Sequence, residues 1–225
     1  MHIIWHGQSC FEIIASQQKG EQVKIVIDPF SEDIGLKLPK LKADILLTTH
    51  EHRDHNNAKA IGGPSTGSGQ ATPFFIQGPG EYERKDIFIQ GISSFHDEKN
   101  GAERGLNTIY TIEAEEMKIC HLGDFGEKEL SPEQLEKIGD IDILMAPVGG
   151  TYTIDAKGAA KIISQIEPRI VIPMHYHLPK LSVKIDGLEP FLKEMGRKLA
   201  EPQEKLLIKK KDWVAEETKI VVLQP

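Results

Sequence analysis

Short apolar segments that run directly into aspartate or histidine constrain this chain most. Residues 23–27 (VKIVI) are largely β-branched and end at Asp28, and the apolar segment 43–49 leads straight into His50. A short, β-branched apolar run bounded by turn residues is typical of a buried strand. We therefore expect buried strands whose ends carry polar side chains capable of chemistry.

The whole pattern divides the chain into a strand-rich first half and a second half in which helices and strands alternate. The predicted strands are 2–6, 10–15, 23–27, 43–49, 74–77, 86–92, 107–113, 117–121, 141–146, 169–173 and a C-terminal pair, 205–210 with 219–223. The predicted helices are 131–138, 156–166 and 188–199, with a helical turn over 56–61 and a surface loop over 62–73. This order favours a mixed α/β class with layered sheets.

Length and composition indicate one folded domain over 1–225, with 39% hydrophobic and 27% charged residues. The net charge of −7 argues against nucleic acid as a partner, because an acidic surface repels phosphate backbones. The two cysteines, Cys10 and Cys120, are expected to be reduced and packed. Neither a membrane-spanning run nor a signal-peptide pattern is found, so we expect a cytoplasmic protein, with self-association left open.

Four potential metal ligands lie within six residues directly after the strand at 43–49. In extended backbone His50 and His52 point to the same side, and a following turn would direct Asp54 and His55 into the same cavity. Imidazole and carboxylate together suit zinc, manganese or iron. The alternative is a polar turn in which Asp54 only caps a helix, and the further histidines downstream make that interpretation much weaker.

These residues resemble the motifs of the metallo-β-lactamase superfamily. More narrowly, they resemble small hydrolases related to L-ascorbate-6-phosphate lactonase and N-acyl-phosphatidylethanolamine phospholipase D. The resemblance extends from the HGQS segment at 6–9 to the PMHY segment at 173–176. It implies an α/β (α+β) fold, a four-layer αββα sandwich with a dinuclear metal site at one edge.

The resemblance also implies a ligand set for two divalent ions, with zinc expected and manganese or iron as alternatives. The first ion would be held by His50, His52 and His96, the second by Asp54, His55 and His175, and both by Asp124. Asp28 would support a ligand without touching metal. Two ions, two carboxylates and one hydroxide leave a charge of about +1, which favours a small anionic substrate.

For several further residues the sequence allows both a functional and a structural role. His121 either supports the site from behind the ligands or packs in the core. Tyr176 and His177 follow a ligand, and His177 is the candidate proton donor. Arg104 and Lys180 could approach a phosphate, although a solvated surface charge is the favoured interpretation of both. The lysine run at 209–211 is expected to lie on a solvated hairpin.

The resemblance therefore implies a hydrolase in which a metal-bound hydroxide, oriented by Asp54, cleaves an ester-type bond. Phosphodiesters and lactones are preferred to β-lactams, because the β-lactamases proper use a different ligand set around the second metal. A ribonuclease of the same superfamily is an alternative, but this chain carries no additional RNA-binding arm. A non-catalytic metal-binding or redox module is a third, and His52 argues against it because the flavin-linked diiron relatives have glutamate there.

Overall fold

A computed structural model of the protein describes residues 1–17, 20–66, 69–199, 201–212 and 217–225. The strands in these ranges are β1 (His2–Trp5), β2 (Phe11–Ser16), β3 (Gln22–Ile27), β4 (Ile45–Thr48), β5 (Ser65–Thr66), β6 (Gly69–Gln70), β7 (Phe74–Gln77), β8 (Gly80–Arg84), β9 (Ile87–Phe95), β10 (Leu106–Ala114), β11 (Met117–His121), β12 (Ile143–Pro147), β13 (Ile170–Met174), β14 (Leu206–Leu207) and β15 (Lys219–Ile220). The helices are α1 (Pro132–Ile138), α2 (Ala156–Ile166) and α3 (Glu189–Glu194). Single 3-10 turns occupy Glu32–Ile34, Ala58–Ala60 and Lys210–Asp212.

Two mixed sheets carry the fold. The first has the strand order β14-β1-β2-β3-β4-β7 and the second β15-β13-β12-β11-β10-β9-β8. Strands β3, β4 and β7 are parallel to one another, as are β11, β12, β13 and β15, while the remaining neighbours within each sheet are antiparallel. Few helices accompany the sheets, and α1 and α2 contact strands of the second sheet. The predicted class of α/β sandwich is confirmed.

The central strands are buried on both faces. Every residue of β4, β12 and β13 is buried, which explains why these strands read as continuous apolar runs rather than as alternating patterns. Tyr110 on β10 donates a hydrogen bond of 3.0 Å from its hydroxyl to the carbonyl of Thr48 on β4, so the two sheets are joined where β4 ends. Cys10 and Cys120 are buried free thiols in this core, as expected.

The predicted helix start at 131 is confirmed in detail. The Ser131 hydroxyl accepts a hydrogen bond from the backbone N–H of Gln134, and the Gln134 side chain accepts one from the N–H of Ser131. This reciprocal arrangement satisfies two N–H groups that a helix end otherwise leaves without partners. Helix α2 likewise begins at a cap, where Asp155 accepts from Gly158.

The predicted C-terminal strand pair is wrong. Strand β14 pairs with β1 at an edge of the first sheet, whereas β15 pairs with β13 at an edge of the second. The sequence of a short apolar segment does not indicate which strand it pairs with. Here each of the two segments forms an edge strand of a different sheet. The lysine run ends in the 3-10 turn Lys210–Asp212, and Glu216, on the far side of the predicted hairpin, lies outside the described residues.

Two further boundaries differ from expectation. The helix predicted over 188–199 ends at Glu194, and Gly196 follows with a left-handed φ of 63°, a backbone conformation that stops a helix. The segment Gly80–Arg84, for which no strand was predicted, is strand β8 and pairs with β9. Among its described residues, the predicted loop at 62–73 contains the short β5–β6 ladder.

The longest helix among the described residues is α2, with 11 residues. None of the described helices combines the length and the apolar character needed to cross a membrane.

Candidate metal centre

The ends of strands from both sheets meet at one edge of the molecule. Strand β4 leads into His50, β9 into His96 and β13 into His175. Strands β9, β11 and β13 run in the same direction, because β10 is antiparallel to both β9 and β11 and the following strands are parallel. Their carboxyl ends therefore share one edge, and the loop after β11 brings Asp124 to the same place.

The structure brings all seven predicted ligands into one cluster. Three groups of side chains have their nitrogen and oxygen donor atoms within 4.8 Å of one another: His50, His52 and His96; His50, His55 and Asp124; Asp54, His55 and His175. The first and last groups match the two ligand sets that the family resemblance implied, so residues far apart in sequence form the expected arrangement.

Asp124 lies at the centre of this cluster. Its carboxylate oxygens are 3.2 Å from Nε2 of His55, 3.2 Å from Nε2 of His96 and 3.3 Å from Nε2 of His175. Nε2 of His50 is 4.0 Å away. One buried carboxylate thus faces imidazoles of both groups, as a side chain that contacts two metal ions must.

The hydrogen bonds behind the cluster leave ring nitrogens free to bind metal. His50 donates from Nδ1 to the hydroxyl of Thr49 at 2.9 Å, and His55 donates from Nδ1 to Asp28 at 2.8 Å. With Nδ1 protonated on both rings, Nε2 carries the lone pair, and both buried Nε2 atoms lack a hydrogen-bond partner among the described residues. This is the usual arrangement of metal-ligating histidines, so the residues fit a metal site.

Electrostatics also favour positive charge here. Burial lowers the pKa of His55, but the carboxylates of Asp124 and Asp28 outweigh this and hold it well above its ordinary value. Burial likewise opposes the charge on Asp124, yet the imidazoles of His175 and His55 hold its pKa well below the ordinary range. The carboxylates of Asp124 and Asp28 therefore attract positive charge at His55. A metal cation bound at this ring would gain the same electrostatic attraction as the proton.

Asp28 lies behind the cluster, in contact with His55 and with the residue next to His50. It is fully buried and accepts hydrogen bonds from the backbone N–H and the hydroxyl of Thr49, both at 2.7 Å, in addition to the bond from His55. Its φ of 47° lies in the left-handed region, which turns the carboxylate back toward the end of β4. Asp28 therefore orients His55 directly and His50 through Thr49.

His121 contacts the turn that carries Asp124. Its Nε2–H donates to the carbonyl of Ser9 at 3.0 Å, and its Nδ1 accepts from the N–H of Gly123 at 3.1 Å. Burial lowers its pKa, so the ring is neutral and packs against Phe11. Both interpretations of His121 therefore hold together: it packs in the core and it supports the approach to Asp124.

Two residues with clear supporting contacts were missed by the sequence analysis. Gln8 donates from Nε2 to Asp54 at 3.0 Å, and its backbone carbonyl accepts from the N–H of His175. Asn107 accepts from the N–H of Asp124 at 3.0 Å and donates to the carbonyl of Leu122. Gln8 lies in the HGQS segment that carries the family resemblance, which was the available signal; Asn107 had none.

The remaining candidate site residues differ in their burial and in whether they line the cavities beside the cluster. Arg104 lines the cavities beside the cluster, whereas Lys180 is exposed and does not. Tyr176 is buried and packs 5.0 Å from the ring of Trp5. His177 is exposed and lies outside the lining of both cavities, so its role as proton donor stays a prediction.

A model of the β-lactamase superfamily domain matches residues 2–175, more than half of the chain. The chain belongs to this superfamily. Its match covers β1 through β13 and every residue of the cluster described above.

Individual relatives within the superfamily give the activity class. A UPF0173 metal-dependent hydrolase from Thermoplasma acidophilum is 30% identical over 198 residues, which cover 79% of this chain and 84% of the relative. A UPF0173 protein from Pyrococcus furiosus is 33% identical over 192 residues, covering 78% and 83%. The crystal structure of a candidate Zn-dependent hydrolase of the metallo-β-lactamase superfamily from Thermotoga maritima gives a TM-score of 0.73 at 31% identity, covering 99% and 97%. The chain is a metal-dependent hydrolase with the metallo-β-lactamase fold.

Proposed function

We propose that this hydrolase cleaves an ester-type bond, a phosphodiester or a lactone, in a small anionic substrate, and that it uses two divalent ions. The position of Asp124 carries this proposal, because its carboxylate lies 3.2–3.3 Å from imidazoles of both ligand groups. A single ion would not require a carboxylate that faces two donor sets. Zinc is the proposed metal, in keeping with the histidine-rich donor set and the description of the Thermotoga maritima relative.

The ligand roles follow from the two groups. His50, His52 and His96 would hold the first ion, Asp54, His55 and His175 the second, and Asp124 both. Divalent ions held in this way would lower the pKa of a bound water molecule to near neutrality and would stabilise negative charge that develops on the substrate.

Asp54 is the proposed orienting group for the attacking water. It is partly buried, lines the cavity beside the cluster, and is held by the amide of Gln8 at 3.0 Å. A carboxylate fixed in this way can accept a hydrogen bond from a water molecule. That bond keeps a lone pair of the water oxygen directed at the substrate. His177 remains the proposed proton donor to the leaving group. Because its side chain is exposed, the segment after β13 would have to move His177 closer to the cluster.

The test is hydrolysis of bis(p-nitrophenyl) phosphate and of a simple lactone by protein loaded with zinc or manganese. His50→Ala should abolish turnover together with metal binding. His2→Ala is the matched control, since His2 lies on β1 outside the cluster, and it should keep both. Protein that retains two metals but hydrolyses neither the phosphodiester nor the lactone would contradict the proposal.

A further inference from the structure

Two cavities open beside the metal cluster, and they differ in their lining. The first, of about 600 Å³, is bounded by cluster residues on one side and by Arg53, Arg104, Tyr152 and Lys184 on the other. We call it the cationic cavity. The second, of about 490 Å³, is bounded largely by uncharged residues that include Pro79 and Leu106. Volumes of this size suit small molecules.

Arg104 is fixed in place rather than solvated. Its guanidinium Nη2 donates to the carbonyl of Thr151 at 3.4 Å and lies over the ring of Tyr152, with its central carbon 5.8 Å from the ring centre. Only about a third of the side chain is exposed, 34%. The preference for a solvated surface charge at Arg104 does not fit this environment, because the side chain is held toward the cavity.

The loop that carries Arg104 is held by one buried carboxylate. Asp97, next to the ligand His96, accepts four backbone N–H hydrogen bonds of 2.7–3.0 Å, from Lys99, Gly101, Glu103 and Arg104. The backbone at Arg104 is therefore placed by the same segment that places His96.

The charges of the cationic cavity are unequally neutralised. Arg53 is paired with Asp33 at 2.8 Å and is largely exposed. Among the described residues, Arg104 has only the carboxylate of Glu103, at 4.0 Å, and the exposed Lys184 forms no ion pair. Two cations beside the candidate metal centre thus lack close carboxylates, in a chain whose overall charge is −7.

We propose that Arg104 and Lys184 bind a doubly charged oxyanion group of the substrate, one that does not itself react. This inference rests on the proposed function, because it assigns this group to the same substrate. The planar guanidinium can donate two parallel hydrogen bonds to such a group and the lysine adds a point charge, so together they match a charge of about −2. The uncharged part of the substrate would occupy the second cavity, since His52 and Arg104 line both.

The test measures binding without turnover, so that a failure of ester hydrolysis does not affect it. Inorganic phosphate is titrated calorimetrically into metal-loaded wild type, Arg104→Ala and Lys184→Ala, with metal content measured for each. Each substitution should weaken phosphate binding about tenfold or more, the usual effect of losing a hydrogen bond to a charged group, without loss of metal. Lys180→Ala removes an equal charge from the same segment outside the cavity and should change binding less than about twofold.

Three results would overturn the proposal. Equal phosphate affinity in wild type and both variants would mean that the metal ions alone hold the anion. No measurable binding to wild type would mean that the cationic cavity holds none. Acetate bound as tightly as phosphate, with the same response to the substitutions, would contradict the doubly charged class. If wild type binds phosphate as expected but hydrolyses neither phosphodiesters nor lactones, the result counts only against the proposed function.

Discussion

Asp28 and His55 are both fully buried and are joined by a hydrogen bond of 2.8 Å from Nδ1 of His55 to the carboxylate. The bond keeps a proton on Nδ1 and therefore leaves Nε2, which lies 3.2 Å from the carboxylate of Asp124, as the nitrogen available to a metal ion. Thr49 links the same carboxylate to His50, so one buried aspartate sets the orientation of two candidate ligands. Such supporting partners raise the basicity of the imidazole as well as orienting it.

Replacing Asp28 by Asn should weaken metal binding about 10–100-fold while leaving the fold intact. The amide has nearly the same shape, but it lacks the charge that holds the Nδ1 proton of His55. Competition with a chromophoric chelator measures the affinity. Asp44→Asn is the control, because Asp44 lies before β4, at the opposite end from the cluster, and also accepts a backbone hydrogen bond. Wild-type affinity in Asp28→Asn would show that this hydrogen bond does not tune the site.

Metal binding should stabilise the fold measurably. A ligand that binds only the folded state at about 100 times its dissociation constant contributes about 2.7 kcal/mol, which corresponds to a rise in Tm of about 5–10 °C for a chain of this size. We expect zinc to raise the Tm of wild type by this amount and EDTA to reverse it.

His50→Ala and Asp124→Ala should show no rise in Tm with zinc, while their metal-free Tm stays close to that of metal-free wild type. The reason is that both substitutions remove polar side chains of the cluster and leave the hydrophobic side chains of the core unchanged. Calorimetric melting and elemental analysis give the two quantities. Two retained metals in Asp124→Ala would show that Asp124 does not contact both ions.

The clustering of the candidate ligands was predictable because they follow strands and four of them share one segment. Local patterns identified the strands before His50 and His175, and the resemblance supplied the pairing of distant motifs. Because parallel strands point in the same direction, their carboxyl ends then lie at one edge of the sheet, and no further sequence signal is needed to predict this.

The supporting contacts were not predictable, because they depend on tertiary pairing. Gln8 reaches Asp54 across 46 positions of sequence, and Asn107 reaches Asp124 across 17. The HGQS segment marks Gln8 as part of a family motif but does not indicate Asp54 as its partner, and the local pattern around Asn107 gives no signal. The same reason explains the error at the C-terminal strands, whose apolar character was correct but whose partners lie in two different sheets.

Gly126 allows the loop after Asp124 to pack against the segment of His96. A Cβ at this position would overlap the backbone carbonyl of His96, and the N–H of Gly126 donates to the carbonyl of Phe95 at 2.9 Å. Gly126→Ala should therefore destabilise the protein by about 1–3 kcal/mol and weaken metal binding, because the backbone of His96 must move.

Urea unfolding and chelator competition measure the two effects of Gly126→Ala. Gly187→Ala is the matched control, since a Cβ there would contact only the flexible carboxylate of Glu189. A loss of stability with unchanged metal affinity would mean that the overlap is relieved without displacing His96.

Glu12 should make the stability of the protein depend on pH. The side chain is buried on β2, with His6 at 3.6 Å and Lys24 at 3.4 Å. The imidazole of His6, and then the ammonium of Lys24, hold the pKa of Glu12 below its ordinary value although burial opposes them. The folded state therefore favours the carboxylate, and Glu12→Gln should lower the free energy of unfolding by about 1 kcal/mol at pH 7.

The sign of the pH dependence follows from that lowered pKa. The stabilisation is fully present above the pKa of Glu12 in the unfolded chain, about 4.3, and is lost as the pH falls through the lower pKa of the folded state. Urea unfolding of wild type and Glu12→Gln between about pH 7 and pH 3 should thus give curves that converge at the acid end. Glu113→Gln, an exposed position on β10, should stay within about 0.5 kcal/mol of wild type throughout. A wild-type advantage that grows as the pH falls would contradict the ion pairing assigned to Glu12.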